Sequence, residues 1–380
     1  MSEPFSSTPP APAGDSVVSA VHCRVFKIPT DQPEADGTLE WSATTIVLVE
    51  ATCGDTTGIG WTYAGAGCRA VVENELAGVI IGADPMDVPG VNEGMVRACR
   101  NLGRPGLVGC AVSACDMALW DLKARLLELP LCSLLGRCRP CIPVYGSGGF
   151  TTYSDATTRS QLESWVDGLG ISKVKIKIGE SWGHCEARDL ERMALARRVV
   201  GDEVELLVDA NGGYSVKQAI RVGRRAAAEH GIVWFEEPVS SDNLAGLHEV
   251  RDQVSPDVAA GEYGYDEPYF ARMIAAGAVD CLQVDATRCG GYTCWIRAAA
   301  IAAASGLQVS AHCAPALHAH VCGSVPNIRH IEYFHDHSRI EAMLFDGNLR
   351  PACGELVPDS SAPGNGYLLK ENDAEPYRIA

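Results

Sequence analysis

The chain has no apolar run approaching the roughly 20 residues that a membrane-spanning helix needs, so no such helix is expected. It is also short of positive charge: 31 lysines and arginines stand against 48 aspartates and glutamates, a formal charge of −17. That deficit argues against nucleic acid and anionic membrane as partners, although a pocket can oppose the net charge locally. The N-terminus lacks the basic and apolar regions of a signal peptide. Residues 1–16, rich in Ser, Pro and Ala, read instead as a disordered tail. Cysteines number sixteen, but the one tight pair, Cys138-Arg139-Pro140-Cys141, has no second pair at zinc-finger spacing. The thiols are therefore expected to be reduced structural fillers in a cytoplasmic protein.

What is present is material for two folded units. A chain of 380 residues, 47% of them hydrophobic, can bury the core of a large barrel and a second, smaller domain. Residues 17–140 read as an α+β unit. Strands are expected around 17–28 and 42–50, joined by a polar loop at 29–41 that carries Asp31, Glu34 and Asp36, with more strand at 58–63. Helical periodicity follows at 68–81, 86–101 and 109–128, the last alanine-rich and closed by Pro130.

From residue 143 short apolar strands alternate with helices such as 215–229 and 293–304. The strands are expected at 143–146, 173–178, 205–209, 233–237, 258–262, 281–285, 308–311 and 330–333. Repeated βα units predict a parallel sheet, and this number of strands predicts its closure into a barrel. The fold class is thus α/β, with a barrel over 141–344 and a C-terminal segment, 345–380, that packs back on the N-terminal unit.

The stretch Lys173-Val174-Lys175-Ile176-Lys177-Ile178 sets the problem. Its period of two puts Val174, Ile176 and Ile178 on one face and three ammonium groups on the other. In a closed barrel the lysine face points inward, where an unpaired charge costs several kcal/mol.

Active sites of such barrels lie at the C-terminal ends of the strands. Those ends carry Asp209 with Asn211, then Glu236-Glu237, Glu262, Asp285, His312 and Glu332. One strand-end carboxylate is explained equally well by a helix cap or a rim ion pair. Asp209, Glu236 and Glu262 on successive strands repel one another unless a cation lies between them, and hard oxygen donors suit magnesium. Whether Glu236 or Glu237 points inward stays open at this level.

Lys177, nearest the strand end, is the candidate base, its pKa expected to be lowered by Lys175. Lys173, deeper, reads as structural. Asp285 beside His312 can orient the imidazole and raise its basicity. His318 and His320 read as packing or capping residues, and Glu332 as a hydrogen-bonding partner of substrate. Phe150 either lines the pocket or packs under the cap.

As a set these residues resemble the enolase superfamily, and within it the mandelate racemase subgroup. The motifs are Lys175-Ile176-Lys177-Ile178-Gly179, Val208-Asp209-Ala210-Asn211, Phe235-Glu236-Glu237-Pro238, Gly261-Glu262, Asp285 ahead of Gly290-Gly291, and His312. Ala118-Leu119-Trp120-Asp121-Leu122-Lys123, then Pro130 and Leu134-Leu135-Gly136, look like the family's junction between cap and barrel. The resemblance implies a modified (β/α)7β TIM-like barrel with an α+β capping domain built from both chain ends. It implies Mg2+ on Asp209, Glu236 and Glu262, and Lys177 and the His312–Asp285 dyad as acid/base catalysts on opposite faces of the substrate. Aspartate at 285, where muconate-cycloisomerase-like relatives carry a lysine, disfavours that branch.

The expected chemistry is abstraction of the proton α to a carboxylate, with Lys175 helping at that carboxylate. Dehydration of a sugar acid to a 2-keto-3-deoxy acid comes first by analogy. Racemisation or epimerisation of a 2-hydroxy acid and sugar-acid cycloisomerisation are the alternatives, and an inactive structural barrel is disfavoured. The 29–41 loop, with Trp41 at its end as a substrate contact, is expected to cover the pocket. Its acidic residues would then discourage a second carboxylate on the substrate. Relatives of this kind are often oligomers of identical chains, and the same is expected here.

Overall fold

The computed structural model describes residues 17–380, and the expected tail at 1–16 lies outside the described residues. Three strands, β1 (Ala20–Ala35), β2 (Glu40–Cys53) and β3 (Thr56–Tyr63), form an antiparallel sheet in sequence order. A helical stretch over 68–80 and the helices Val88–Ala98 and Leu107–Leu126 pack on it. The expected polar loop at 29–41 is mostly strand: β1 and β2 run on as one long hairpin, and only Asp36 to Leu39 turn. Pro29 and Pro33 disguise this in the sequence. They fall at a register shift between Pro29 and Glu34, where the ladder needs no donor from a proline.

Eight parallel strands follow. They are β4 (Ile142–Gly148), β5 (Lys173–Lys177), β6 (Glu205–Asp209), β7 (Ile232–Glu236), β8 (Asp257–Ala260), β9 (Cys281–Val284), β10 (Gln308–Ala311) and β11 (Ile328–Phe334). They pair in sequence order, and β11 returns to β4, closing the barrel. Helices cover the outside, where Val174, Ile176 and Ile178 are fully buried. Tyr145, Leu207, Trp234, Ala259 and Cys281 fill a separate cluster, so the barrel is packed rather than hollow. Local signals position the connecting helices. In Asp155–Leu169 the Ser154 hydroxyl accepts from Thr157 N at 3.1 Å, and Gly170 ends the helix with φ 65°.

The alanine-rich helix Leu107–Leu126 joins the parts. A Cβ on Gly58 would lie 2.2 Å from Leu122 N, and one on Gly60 would lie 2.4 Å from Ala114 O, so β3 rests directly on the helix backbone. Two buried carboxylates project from the same helix. Asp116 accepts from Thr293 Oγ1 (2.6 Å) on the barrel and from Asn92 Nδ2 (2.8 Å). Asp121 accepts from Ile59 N (2.8 Å) in β3, from Asn365 N (2.6 Å) in the C-terminal segment, and from Arg125 Nε (2.7 Å). The chain ends beside β1, where Ile379 N donates to Val25 O at 2.9 Å.

Asp121→Ala leaves those buried donors without an acceptor and is expected to cost about 3–5 kcal/mol in denaturant unfolding. A loss below about 1 kcal/mol would contradict the joint described here.

Candidate active site

The ends of β5, β6 and β7 are in register: Lys177 pairs with Asp209, and Asp209 with Glu236. Asp209, Glu236 and Glu262 are buried, and one oxygen of each lies within 4.8 Å of the others. Glu237 is buried as well but stands outside this trio; its Oε1 has no hydrogen-bond partner. Burial, with Glu262 beside it, pushes the Glu237 carboxyl well above the usual range.

The lysines separate by depth. Lys173, at the N-terminal end of β5 away from the cluster, is half-buried and pairs with Glu205. Lys175 is wholly buried and contacts Glu236, with Glu332 Oε1 at 2.8 Å and Asp209 Oδ2 at 3.7 Å. Lys177 lies 2.5 Å from Asp209 Oδ2. The expected lowering of its pKa is not found in this arrangement. Burial and Lys175 do pull it down, but the Asp209 carboxylate outweighs them and the net shift is upward.

His312 and Asp285 form the expected pair, Nδ1 to Oδ2 at 2.8 Å. Asp285 Oδ1 accepts from Thr287 N and Oγ1, both at 2.7 Å, so the carboxylate is held from two sides. Burial opposes its ionisation, yet the hydrogen bond and charge of His312, together with Arg288, hold it below the usual range. The other ring nitrogen, His312 Nε2, lies 3.3 Å from Glu262 Oε2 and 3.3 Å from Cys313 Sγ. Burial pulls the imidazole pKa down, and Glu262, with the Asp285 bond, carries it above its ordinary value.

His318 ties this pair to the barrel. Its Nε2 accepts from Ala286 N at 2.9 Å, so Nδ1 carries the proton and donates to Cys313 O at 2.8 Å. His320 is buried and packs edge-on against Tyr367.

Lys175, Lys177 and Arg288 set three positive charges against Asp209, Glu236, Glu262, Asp285 and Glu332, which leaves two negative charges when all five carboxylates are ionised and His312 is neutral. Burial pushes the Glu236 carboxyl up to about 8 against the pull of Lys175, with Asp209 and Glu332 adding to the rise. Glu262 Oε2 is buried without a hydrogen-bond partner. Converging oxygens, an orphaned one among them, and a deficit of two charges fit a small divalent cation of oxygen preference.

Above the cluster lies a cavity of about 430 Å³. Lys177, Asn211, Glu262, Arg288, His312 and Cys313 line it from the barrel, and Asp36, Leu39, Trp41 and Thr44 from the hairpin. Asn211 Oδ1 is buried without a partner on this wall. Lys175, Asp209, Glu236 and Glu332 lie behind the wall. Glu332 accepts there from Ser147 Oγ (2.6 Å) and Cys313 N (3.1 Å). Phe150 packs beneath Trp41, ring centroids 5.5 Å apart.

Residues 24–136 match the family model described as the mandelate racemase/muconate lactonizing enzyme N-terminal domain, and residues 157–373 the enolase C-terminal domain-like model. The chain belongs to the mandelate racemase/muconate lactonizing enzyme family. It is 31% identical over 320 residues to the L-talarate/galactarate dehydratase of Salmonella typhimurium, covering 83% of this chain and 77% of that one. It is 30% identical over 365 residues to the 3,6-anhydro-alpha-L-galactonate cycloisomerase of Streptomyces coelicolor, covering 93% and 97%. The crystal structure of a mandelate racemase/muconate lactonizing enzyme-like protein from Rubrobacter xylanophilus superposes with a TM-score of 0.92 at 46% identity, over 96% of this chain and all 100% of the other. The Salmonella dehydratase, crystallised with magnesium and L-lyxarohydroxamate, superposes at 0.86 with 26% identity over 96% and 93%.

In this family member the acidic wall expected from the hairpin is largely absent. Glu34 is buried and accepts from Trp41 Nε1 at 2.9 Å, which fixes the indole on the roof. Burial, with Asp336 nearby, raises its carboxyl to about 8, so it is mostly neutral at pH 7. Asp31 pairs with His335 at 3.0 Å, and Asp36 Oδ1 accepts from Leu39 N at 2.7 Å. Arg288, which sequence reasoning passed over, lies instead on the cavity wall, 3.2 Å from Glu262 Oε1 and 3.4 Å from Asp285 Oδ2. Its signal was a cation three residues after a strand-end aspartate. Of the three hairpin acids only Asp36 lines the cavity, and Arg288 lines it too.

A carboxyl raised from 4.5 to about 8 binds its proton more tightly in the folded state. Its stabilising effect is complete below 4.5 and is lost as pH rises through 8. Glu34→Gln keeps an acceptor for Trp41 without the titration. Its melting temperature relative to the parent is expected to rise steadily between pH 5 and pH 8; a constant difference would contradict the buried neutral carboxyl.

Proposed function

We propose that this protein is a magnesium-dependent sugar-acid dehydratase, converting its substrate to a 2-keto-3-deoxy acid. The observation that carries this reading is that Lys177 and His312 reach one cavity from different sides of the carboxylate cluster, Lys177 beside Asp209 and His312 beside Glu262. The relatives named as dehydratase and cycloisomerase support the same first step, removal of the proton α to a carboxylate.

Asp209, Glu236 and Glu262 would hold the magnesium. Bound there, it would take up the carboxylate charge that keeps Lys177 protonated and offset charge building on the substrate carboxylate. Lys177 Nζ then takes the α-proton. His312, bonded through Nδ1 to Asp285, holds a proton on Nε2 and delivers it to the departing β-hydroxyl, which leaves as water. The enol that remains tautomerises to the keto acid. Asp285 keeps the imidazole oriented throughout, and Lys175 holds Glu236 and Glu332 in place beneath the substrate. Asn211 Oδ1, Trp41 and Arg288 are the groups on the wall for the hydroxylated chain, with Glu332 behind them.

Cycloisomerisation is the second reading, since the Streptomyces cycloisomerase aligns with 93% of this chain. Racemisation would use the same pair with the proton returned to the other face. We further place the protein in the cytoplasm as an oligomer of identical chains. Free thiols at Cys138, Cys141 and Cys353 support a reducing compartment, and the exposed side chains of Trp182 and Ile81 support association. Sedimentation at micromolar concentration checks the assembly; a monomer would contradict it.

A sugar-acid library incubated with the protein and Mg2+ in deuterated water tests the reaction. A keto acid is expected that carries solvent deuterium at C3, where the enol takes up its proton. Exchange at the α-carbon with inverted configuration and no keto acid would favour racemisation, a lactone-derived product cycloisomerisation, and neither keto acid nor exchange with any acid would overturn the reading. Lys177→Ala is expected to lower turnover by about 10²–10⁴-fold while Mg2+ binding, followed by calorimetry, persists.

A further inference from the structure

We propose that His312, Cys313 and Glu332 form a second metal site, for a thiophilic ion such as zinc, whose occupation silences the acid/base face of His312. Cys313 Sγ lies 3.3 Å from His312 Nε2 and 3.4 Å from Glu332 Oε2, and the last two atoms are 3.8 Å apart. A tetrahedral ion holding nitrogen and oxygen at about 2.1 Å and sulfur at about 2.3 Å separates its ligand atoms by roughly 3.4–3.6 Å. The three donors therefore already stand close to the corners such an ion needs.

Their surroundings hold them there. His312 Nδ1 is bonded to Asp285, which leaves Nε2 to face the ion, the carboxylate–histidine support that metal-bound imidazoles use. Glu332 Oε1 is taken by Ser147 and Lys175, so Oε2 is the oxygen turned toward Cys313. Cys313 has φ 53°, a left-handed conformation uncommon for a residue with a side chain, and its own N–H donates to Glu332 Oε2 at 3.1 Å. His312 and Cys313 both line the cavity, so an ion can enter and keep its fourth position open.

Donor chemistry separates the two sites: Asp209, Glu236 and Glu262 offer only oxygen, whereas this trio offers nitrogen, sulfur and oxygen. Binding releases the Cys313 thiol proton to solvent and needs no oxidant. The silencing rests on the role proposed above for His312; the binding does not.

The test uses the full chain in saturating Mg2+, in a Cys138→Ser/Cys141→Ser/Cys353→Ser background that removes the two exposed thiols and the half-buried Cys141. Co2+ is expected to produce sulfur-to-cobalt charge-transfer absorption that Zn2+ displaces and that a further Cys313→Ser change abolishes. The zinc concentration that halves turnover is expected to rise by more than about tenfold in that variant. Absorption or inhibition indifferent to Cys313→Ser would overturn the proposal. Crystals of the unaltered chain soaked in Zn2+ and Mg2+ decide it if the variant does not fold. Anomalous zinc density between His312 Nε2 and Cys313 Sγ supports the site, and density at the carboxylate cluster alone overturns it. These binding readouts hold whichever reaction the protein catalyses.

Discussion

The mouth of the barrel depends on the mutual neutralisation of buried charges. Lys175 is fully buried, and only its contacts with Glu236, Glu332 and Asp209 make an ammonium tolerable there. Asp209 and Glu332 are likewise held in their charged form by the lysines that face them. Removing any one member would leave another buried and unpaired, which costs more than the pair itself contributes. Three adjacent strands supply this network through register alone, since Lys177, Asp209 and Glu236 stand side by side across β5, β6 and β7. The network remains short of positive charge, and that shortfall makes the site receptive to a divalent ion.

The hairpin is the second constraint, because it decides what the charged floor faces. Its tip is seated on the barrel: a Cβ on Gly37 would lie 2.6 Å from Ile178 O, one residue beyond Lys177. From that anchor Trp41 is carried over the cavity and pinned by Glu34 below. A carboxyl that looks like a solvent charge in the sequence thus works as a neutral acceptor under an indole. The substrate chamber consequently has a polar floor, an arginine on its wall and a partly aromatic roof. Such a chamber suits a hydroxylated acid more than an apolar one.

The cap is held to the barrel by a helix whose composition looks apolar. Leu107–Leu126 is packed closely enough for bare glycine backbone to lie on it, and its two buried aspartates are spent on donors from three different parts of the chain. Small residues permit the close approach, and the carboxylates fix its direction. Roof and floor of the cavity come from different segments, so this joint sets their spacing.

Period and spacing in the sequence were enough to determine the barrel strands, the inward face of Lys175 and Lys177, and the acidic strand ends. These signals are local: alternation along one strand dictates which side chains share a face, and a repeated βα unit dictates a parallel neighbour. Tertiary structure alone decided which of Glu236 and Glu237 joins Asp209 and Glu262, that Asp209 outweighs Lys175 in setting the Lys177 pKa, and that Glu34 is buried and neutral. It also decided that Arg288, Cys313 and His318 stand against the His312–Asp285 pair. Electrostatic and hydrogen-bonding environments are sums over neighbours distant in the chain. Lys177 meets Asp209 across a strand pair, and Glu34 meets Trp41 across a hairpin that prolines made look like a loop. Local pattern names the groups, and only their distances and burial set the charge each one carries.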